Sequence, residues 1–181
     1  MALVVEDGTA KADAEAYISV AACTTYLDKF AQSGTSNLFT AAAADSDREI
    51  ALRNSARWLD ATFQLLYVGH RFTKSQAMQW PRGSGKYNDG WDIDADEMPQ
   101  SLLDANCEMA LRFIEDTTGH DTSRLMPDQA NPALIQREKL KADVTEIDTT
   151  YVGGAQQQKL YAMAERIMDN ILLPAGRIIL G

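Results

Sequence analysis

Apolar residues recur at intervals of three and four along four stretches of the chain, which predicts four amphipathic helices. The clearest stretch opens at residues 45–46, where Ser46 and Glu49 have the spacing of a capping box, and Gly69 suits its end. We expect one face of this helix to be buried. Its predicted buried stripe consists of Leu52, Ala56, Leu59, Phe63 and Leu66, widened by Trp58, Thr62 and Leu65.

The other three helices are marked by their ends as well as by their period. Ser19 is the expected N-cap of a first helix that runs through about Ala31. Pro99 suits the first turn of a third helix, which ends at residues 117–119. A fourth helix is predicted from about Ala155 to Leu172, and Pro174 ends it.

Two regions have a pattern that favours extended backbone. Residues 3–5 and 14–18 are predicted as short strands separated by a glycine turn, and residues 134–151 alternate as a hairpin or two extended arms would. Residues 70–98 have no sustained period, but Trp80, Tyr87 and Trp91 argue against disorder. We expect an ordered loop there that packs its own side chains.

These elements predict a mainly α fold, a small bundle of about four helices with long ordered loops and a minor β-hairpin or extended arm. The expected organisation is a single domain over residues 1–181. Its helical core covers about 19–115 and 155–173, its β-like arm covers about 134–151, and its C-terminal tail covers 174–181.

Composition narrows the class of protein. The chain has 181 residues, which suits one domain, and a net charge of −9 from 17 basic against 26 acidic residues. Such a charge would repel a nucleic acid duplex as a whole, although a local basic patch remains compatible with it. The two cysteines form no paired motif, and we expect no secretory signal and no membrane span, so a reducing cytoplasm is expected.

Two segments resemble known phosphate-binding and calcium-binding motifs, but each lacks residues that its motif requires. The segment Gly83-Ser84-Gly85-Lys86 lacks the earlier glycine and the following Ser or Thr of a phosphate-binding loop. The acidic run of Asp92, Asp94 and Asp96 lacks the glycine and glutamate of a calcium-binding loop. We therefore expect no enzyme activity, no catalytic residue, no metal and no cofactor.

The aromatic and basic residues of the 70–98 loop leave three interpretations open. Trp80, Tyr87 and Trp91, interleaved with Arg82 and Lys86, could hold the loop to the core, anchor a protein interface, or stack nucleic acid bases. The acidic net charge places base stacking last. At the other end of the chain, the apolar tail is expected to dock within the fold or on a partner.

A set of short motifs in fixed order resembles a known family. The motifs are Asp7-Gly8, Ala16-Tyr17-Ile18-Ser19-Val20, Ala51-Leu52, Arg57-Trp58-Leu59-Asp60, Gly69-His70-Arg71 and Gln79-Trp80-Pro81-Arg82. Together they resemble the head–tail connector, or head-completion adaptor, proteins of tailed bacteriophages, of the group often labelled DnaT-like single-stranded-DNA-binding protein. The similarity is best over residues 7–115, and residues 120–150 match it less clearly.

The resemblance implies a virion structural adaptor in the neck between head and tail, assembled in the bacterial host cytoplasm. It implies a homo-oligomeric ring of twelve copies that binds the portal protein and tail or nozzle proteins and lines the DNA ejection channel. Double-stranded DNA would pass this acidic channel without specific binding. The alternative function is that of a single-stranded-DNA-binding replication accessory protein. The expected partner-binding residues are Arg71, Trp80, Arg82, Trp91, Leu173, Pro174, Ile178, Ile179 and Leu180.

Overall fold

The computed structural model of the chain describes residues 2–30, 38–41, 44–118, 137–142, 145–150 and 162–173. The chain divides into two compact units, one formed by Met1–Thr122 with Met163–Gly181 and the other by Ser123–Ala162. The first unit holds the predicted helical core, and the second holds the predicted β-like arm.

Helices α1 (Val20–Phe30), α2 (Leu38–Ala41), α3 (Asp45–Phe63) and α4 (Gln100–Thr118) form the core of the first unit. A short helix α5 (Ala162–Met168) continues into a 3-10 turn over Asp169–Ile171. The prediction of a small, mainly helical bundle with a minor antiparallel hairpin is thus confirmed.

The predicted helix ends are partly right. The Ser19 hydroxyl accepts a hydrogen bond from the Ala22 amide at 3.3 Å and caps α1 as expected. The capping box predicted for α3 is wrong, because the N-cap residue is Ala44 and no side chain caps it. Ser46 already lies in the first helical turn, where its hydroxyl cannot take the capping position.

The buried stripe of α3 stops earlier than its period suggests. Leu52, Ala56, Leu59 and Phe63 are buried as predicted, but the helix ends at Phe63. The chain then leaves helical geometry, so Leu65 and Leu66 point to solvent, with 85% and 45% of their surface exposed. Thr62 is exposed as well.

The interface of α3 with α4 contains one buried polar network. The Asn106 side chain donates hydrogen bonds to the Ser55 hydroxyl and to the Leu52 carbonyl, the latter at 3.4 Å. Its carbonyl oxygen accepts a hydrogen bond from the Tyr17 amide at 3.2 Å. This side chain therefore joins both long helices to the N-terminal segment, and its partners offset the cost of burying an amide.

The N-terminal segment is less regular than predicted. Its two expected strands reduce to one isolated parallel bridge between Val5 and Ala16. Instead, the buried Glu6 carboxylate organises the turn by accepting hydrogen bonds from the backbone amides of residues 7, 8, 10 and 11, at 2.9–3.1 Å. Gly8, with φ +95°, lies so close to the Asp96 carbonyl that an added Cβ would sit 2.1 Å from its oxygen.

The first unit also contains two short strands, β1 (His70–Arg71) and β2 (Arg82–Gly83). The second unit contains a two-stranded antiparallel hairpin, β3 (Arg137–Ala142) and β4 (Thr145–Thr150). Its register pairs Leu140 with Ile147 and Lys139 with Asp148. This is the hairpin form of the predicted arm. Among the described residues, no helix combines the length and apolar character needed to cross a membrane.

Candidate functional site

The Trp-Pro-Arg loop, residues 71–82, is an ordered structure built against the end of α3. Strands β1 (His70–Arg71) and β2 (Arg82–Gly83) pair in antiparallel fashion and close it. Trp80 is wholly buried, and its ring meets Tyr67 edge to face with centroids 5.8 Å apart. The Trp80–Pro81 peptide bond is cis. The prediction that this loop packs its own side chains is confirmed for Trp80.

Arg82 acts as an internal brace. Its Nε and Nη2 donate hydrogen bonds to the carbonyls of Val68 and Gly69, both at 2.8 Å. Its guanidinium carbon lies 5.8 Å from the centre of the Tyr67 ring. Burial lowers the pKa of Arg82 from its ordinary value, while the neighbouring tyrosines oppose that shift. The Arg82 guanidinium is therefore held by hydrogen bonds to backbone carbonyls of its own chain.

Gln76 performs the same bracing role inside the loop. Its amide nitrogen donates to the carbonyls of Met78 and Pro81, at 2.9 and 3.0 Å, and its oxygen accepts from the Thr73 amide at 2.7 Å. Arg71 donates a hydrogen bond to the Gln76 carbonyl. Three of the predicted partner-binding residues, Arg71, Trp80 and Arg82, thus lie together. They hold the loop in shape. Trp80 and Arg82 are buried, so they could affect a partner only indirectly, through the surface that they support.

A half-buried carboxylate attaches this loop to α3. Asp60 accepts a hydrogen bond from the Tyr17 hydroxyl through Oδ1 and one from the Gln79 amide through Oδ2, the latter at 3.0 Å. Desolvation raises the pKa of Asp60 to about 6, although these hydrogen bonds and the charges of Arg71 and Arg82 oppose the shift. Asp60 lies outside the buried stripe that the helical period predicts, so the period gives no sign of this role. Asp60 follows the buried Leu59 and borders the stripe, and this position is the feature of the sequence that could have indicated partial burial.

An open groove lies beside this carboxylate, and we call it the Asp60 groove. It has a volume of about 400 Å³. Arg57 on its rim is exposed and has no hydrogen-bond or ionic partner within the described residues. Its lining residues are Ala14, Glu15, Arg57, Asp60, Ala61, Gln64, Ala77, Met78 and Gln79.

The second surface feature is the Trp91 turn, residues 86–92. The Tyr87 amide donates to the Trp91 carbonyl, and the Gly90 amide donates back to the Tyr87 carbonyl, both at 2.9 Å. Lys86 and Asp92 form an ion pair across its base. Trp91 itself is 75% exposed. The structure therefore separates the two tryptophans of the loop region, one buried as a scaffold and one displayed to solvent.

Most of the basic side chains that the structure describes in the first unit form ion pairs or hydrogen bonds within the chain. Five of them form ion pairs with nearby carboxylates, and Arg71 and Arg82 bond backbone carbonyls. The five ion-paired cations are Lys11, Arg48, Arg53, Lys86 and Arg112. Large apolar side chains are exposed instead. They are Phe30, Ile50, Leu65, Leu66, Phe72 and Trp91.

Among the C-terminal residues predicted to contact a partner, the structure describes only Leu173. The Leu173 amide donates a hydrogen bond to the Leu66 carbonyl at 2.6 Å, and Leu172 forms an antiparallel bridge with Tyr67. Residues 174–181, and with them Pro174, Ile178, Ile179 and Leu180, lie outside the described residues. Within the described ranges, no three His, Cys, Asp or Glu side chains converge as metal ligands.

Residues 1–179 match the model of the family described as "Putative DnaT-like ssDNA binding protein", so the chain belongs to this family. No curated protein and no solved structure is significantly similar to the chain.

Proposed function

We propose that this member of the DnaT-like family is a virion structural adaptor that binds the portal ring and joins the head to the tail of a bacteriophage. The observation that carries the proposal is the character of the described surface. Leu65, Phe72 and Trp91 expose apolar side chains, whereas most of the described cations of the first unit are bonded to carboxylates or backbone carbonyls of the same chain. Exposed apolar side chains favour contact with protein, while nucleic acid affinity depends on cations free to neutralise phosphates.

The motif order that resembles head–tail connectors supports the same function. The residues of those motifs build the scaffold of the Trp-Pro-Arg loop, in which Trp80 and Arg82 are buried and Asp60 holds Gln79. A rigid loop of this kind loses little conformational entropy when a partner binds, which suits a permanent structural joint.

The attachment site for the portal is assigned to the tail. Leu173 directly precedes the tail, and the tail contains Pro174 and the apolar residues Ile178, Ile179 and Leu180. Removing residues 175–181 is expected to abolish co-sedimentation with the portal protein of the same genome while leaving the thermal unfolding midpoint unchanged. A truncated chain that still sediments with portal would overturn this assignment.

Single-stranded-DNA binding is the second candidate function, and the description of the family favours it. A protein of that kind would bind oligonucleotides with a steep decrease in affinity as salt increases, because each phosphate contact releases counterions. Fluorescence anisotropy with a labelled oligonucleotide over a salt series measures that slope. On the adaptor proposal the binding is weak. Micromolar or tighter binding with a steep slope would instead establish the second candidate.

A further inference from the structure

The Trp91 turn has the properties of an anchor that is ordered before it binds. Its backbone hydrogen bonds join Tyr87 to Trp91 and Gly90 to Tyr87 at 2.9 Å. Asn88 ties the turn to the segment after α5, since its amide group donates to the Asp169 carbonyl at 2.6 Å. A large aromatic side chain held on a braced turn contributes contact area at low entropic cost.

The Asp60 groove has the size and lining to receive such a side chain. Its volume of about 400 Å³ falls in the range of about 300–1,000 Å³ typical of ligand sites. Ala14, Ala61, Ala77 and Met78 supply apolar lining. The small side chains of the three alanines leave a flat indole room to lie against them.

The Trp91 turn is acidic. Three exposed carboxylates, those of Asp89, Asp92 and Asp94, lie within three positions of Trp91 in the sequence, and Lys86 forms an ion pair with Asp92.

The Asp60 groove offers one exposed cation to such a turn. Of its two carboxylates, Glu15 is paired with Arg53 at 3.0 Å, and the negative charge of Asp60 is opposed by the nearby charges of Arg71 and Arg82. Arg57 is exposed and has no partner among the described residues, and its charge has the sign that attracts the acidic turn.

We propose that the Trp91 turn of one copy of this chain docks in the Asp60 groove of a second copy. Arg57 then stacks on the indole or pairs with the acidic rim of the turn. Because each copy donates a turn and accepts one, the contact is heterologous and can close into a ring. The inference rests on the proposed adaptor function in so far as that function requires a ring, and it identifies the contact between neighbouring subunits.

Cross-linking of matched single-cysteine variants tests the contact. Asp89→Cys places a thiol beside Trp91, and Gln64→Cys places one in the groove, while native Cys23 and Cys107 are buried. The two variants are mixed, with and without portal protein, and treated with a short bismaleimide. We expect a linked peptide pair joining positions 89 and 64 of different copies.

Two controls make the result specific. Lys29→Cys places an exposed thiol on α1, and no residue of α1 lines the groove, so this thiol is expected not to link to position 89. Adding Trp91→Ala to the Asp89→Cys chain is expected to reduce the 89–64 product about tenfold or more, as for loss of an interface anchor. Filling the groove by Ala61→Trp is expected to do the same.

The outcomes separate this inference from the proposed function. Rings on the portal without the 89–64 link, or with a link that Trp91→Ala does not reduce, would overturn the docking and leave the adaptor function standing. Absence of both the link and any ring would overturn both. A linked product that depends on Trp91, with no attachment to portal, would support the docking and reject the adaptor function.

Discussion

The Tyr17 hydroxyl donates a hydrogen bond to the carboxylate of Asp60, although the two residues are 43 positions apart. The same carboxylate accepts the Gln79 amide, and the Tyr17 oxygen lies 3.2 Å from that amide nitrogen. Three segments distant in sequence thus meet at one half-buried carboxylate. This junction fixes the Trp-Pro-Arg loop against α3 and forms one wall of the Asp60 groove.

Replacing Tyr17 by phenylalanine is expected to destabilise the chain by about 1 kcal/mol, because the half-buried Asp60 carboxylate loses a hydrogen-bond donor. The hydrogen bond from Tyr17 favours the ionised carboxylate, so its loss should raise the pKa of Asp60 further above about 6. Denaturant unfolding and carboxyl NMR titration measure the two effects. An unchanged pKa of Asp60 would show that the hydroxyl does not interact with it in solution.

Asp60 should also leave a signature in the pH dependence of stability. Its pKa is raised in the folded chain from 3.8 to about 6, so the folded state binds the proton more tightly than the unfolded state. The contribution of the group to stability is therefore greatest below pH 4 and is lost as the pH rises to about 6.

The variant Asp60→Asn isolates that contribution, since the other carboxylates titrate alike in both chains. The unfolding free energy of the natural chain, relative to Asp60→Asn, should fall by on the order of 2 kcal/mol between pH 4 and 6 and stay level above pH 7. A difference that rises with pH over the same interval would contradict the raised pKa.

Two glycines with nearly the same φ angle test the close contact between the N-terminal turn and the Asp96 carbonyl. Gly8 and Gly90 have φ of +95° and +98°. A Cβ at Gly8 would lie 2.1 Å from the Asp96 carbonyl oxygen, whereas a Cβ at Gly90 would meet nothing within 4 Å. We expect Gly90→Ala to cost about 1 kcal/mol from conformation alone and Gly8→Ala to cost at least about 3 kcal/mol. Equal losses in thermal unfolding would show that the Asp96 contact is not formed.

Truncation of the two tryptophans of the loop region should change the stability of the chain by very different amounts. Trp80→Ala removes a wholly buried ring and is expected to cost about 3–5 kcal/mol of stability. Trp91→Ala changes an exposed side chain and is expected to alter stability by less than about 0.5 kcal/mol. Chemical denaturation of both variants compares them directly. A large loss of stability in Trp91→Ala would mean that Trp91 packs within its own chain.

The helical period predicted the core of α3 well, because Leu52, Ala56 and Leu59 follow the spacing that one buried face requires. It could not predict that the helix stops at Phe63. That end is set by tertiary contacts, since the next residues pair with the chain after α5, where Val68 donates to the Ile171 carbonyl at 3.1 Å. The same long-range pairing leaves Leu65 exposed.

The candidate site was only partly accessible to sequence reasoning. Aromatic content correctly indicated an ordered loop around Trp80, but it could not distinguish the buried Trp80 from the exposed Trp91. Trp80 is buried because its ring packs against Tyr67, over which the Arg82 guanidinium lies, and no local sequence pattern predicts these contacts. The role of Asp60 depends in the same way on partners brought from distant segments.

The central claim is that the chain is an adaptor that forms a ring on the portal. Its most direct test is electron microscopy of the purified chain mixed with the portal protein encoded in the same genome. The account predicts a ring of added density capping the tail-facing end of the portal, with a symmetry that the images give directly. Bare portals beside free chain at high concentration, together with salt-dependent binding of single-stranded DNA, would contradict it.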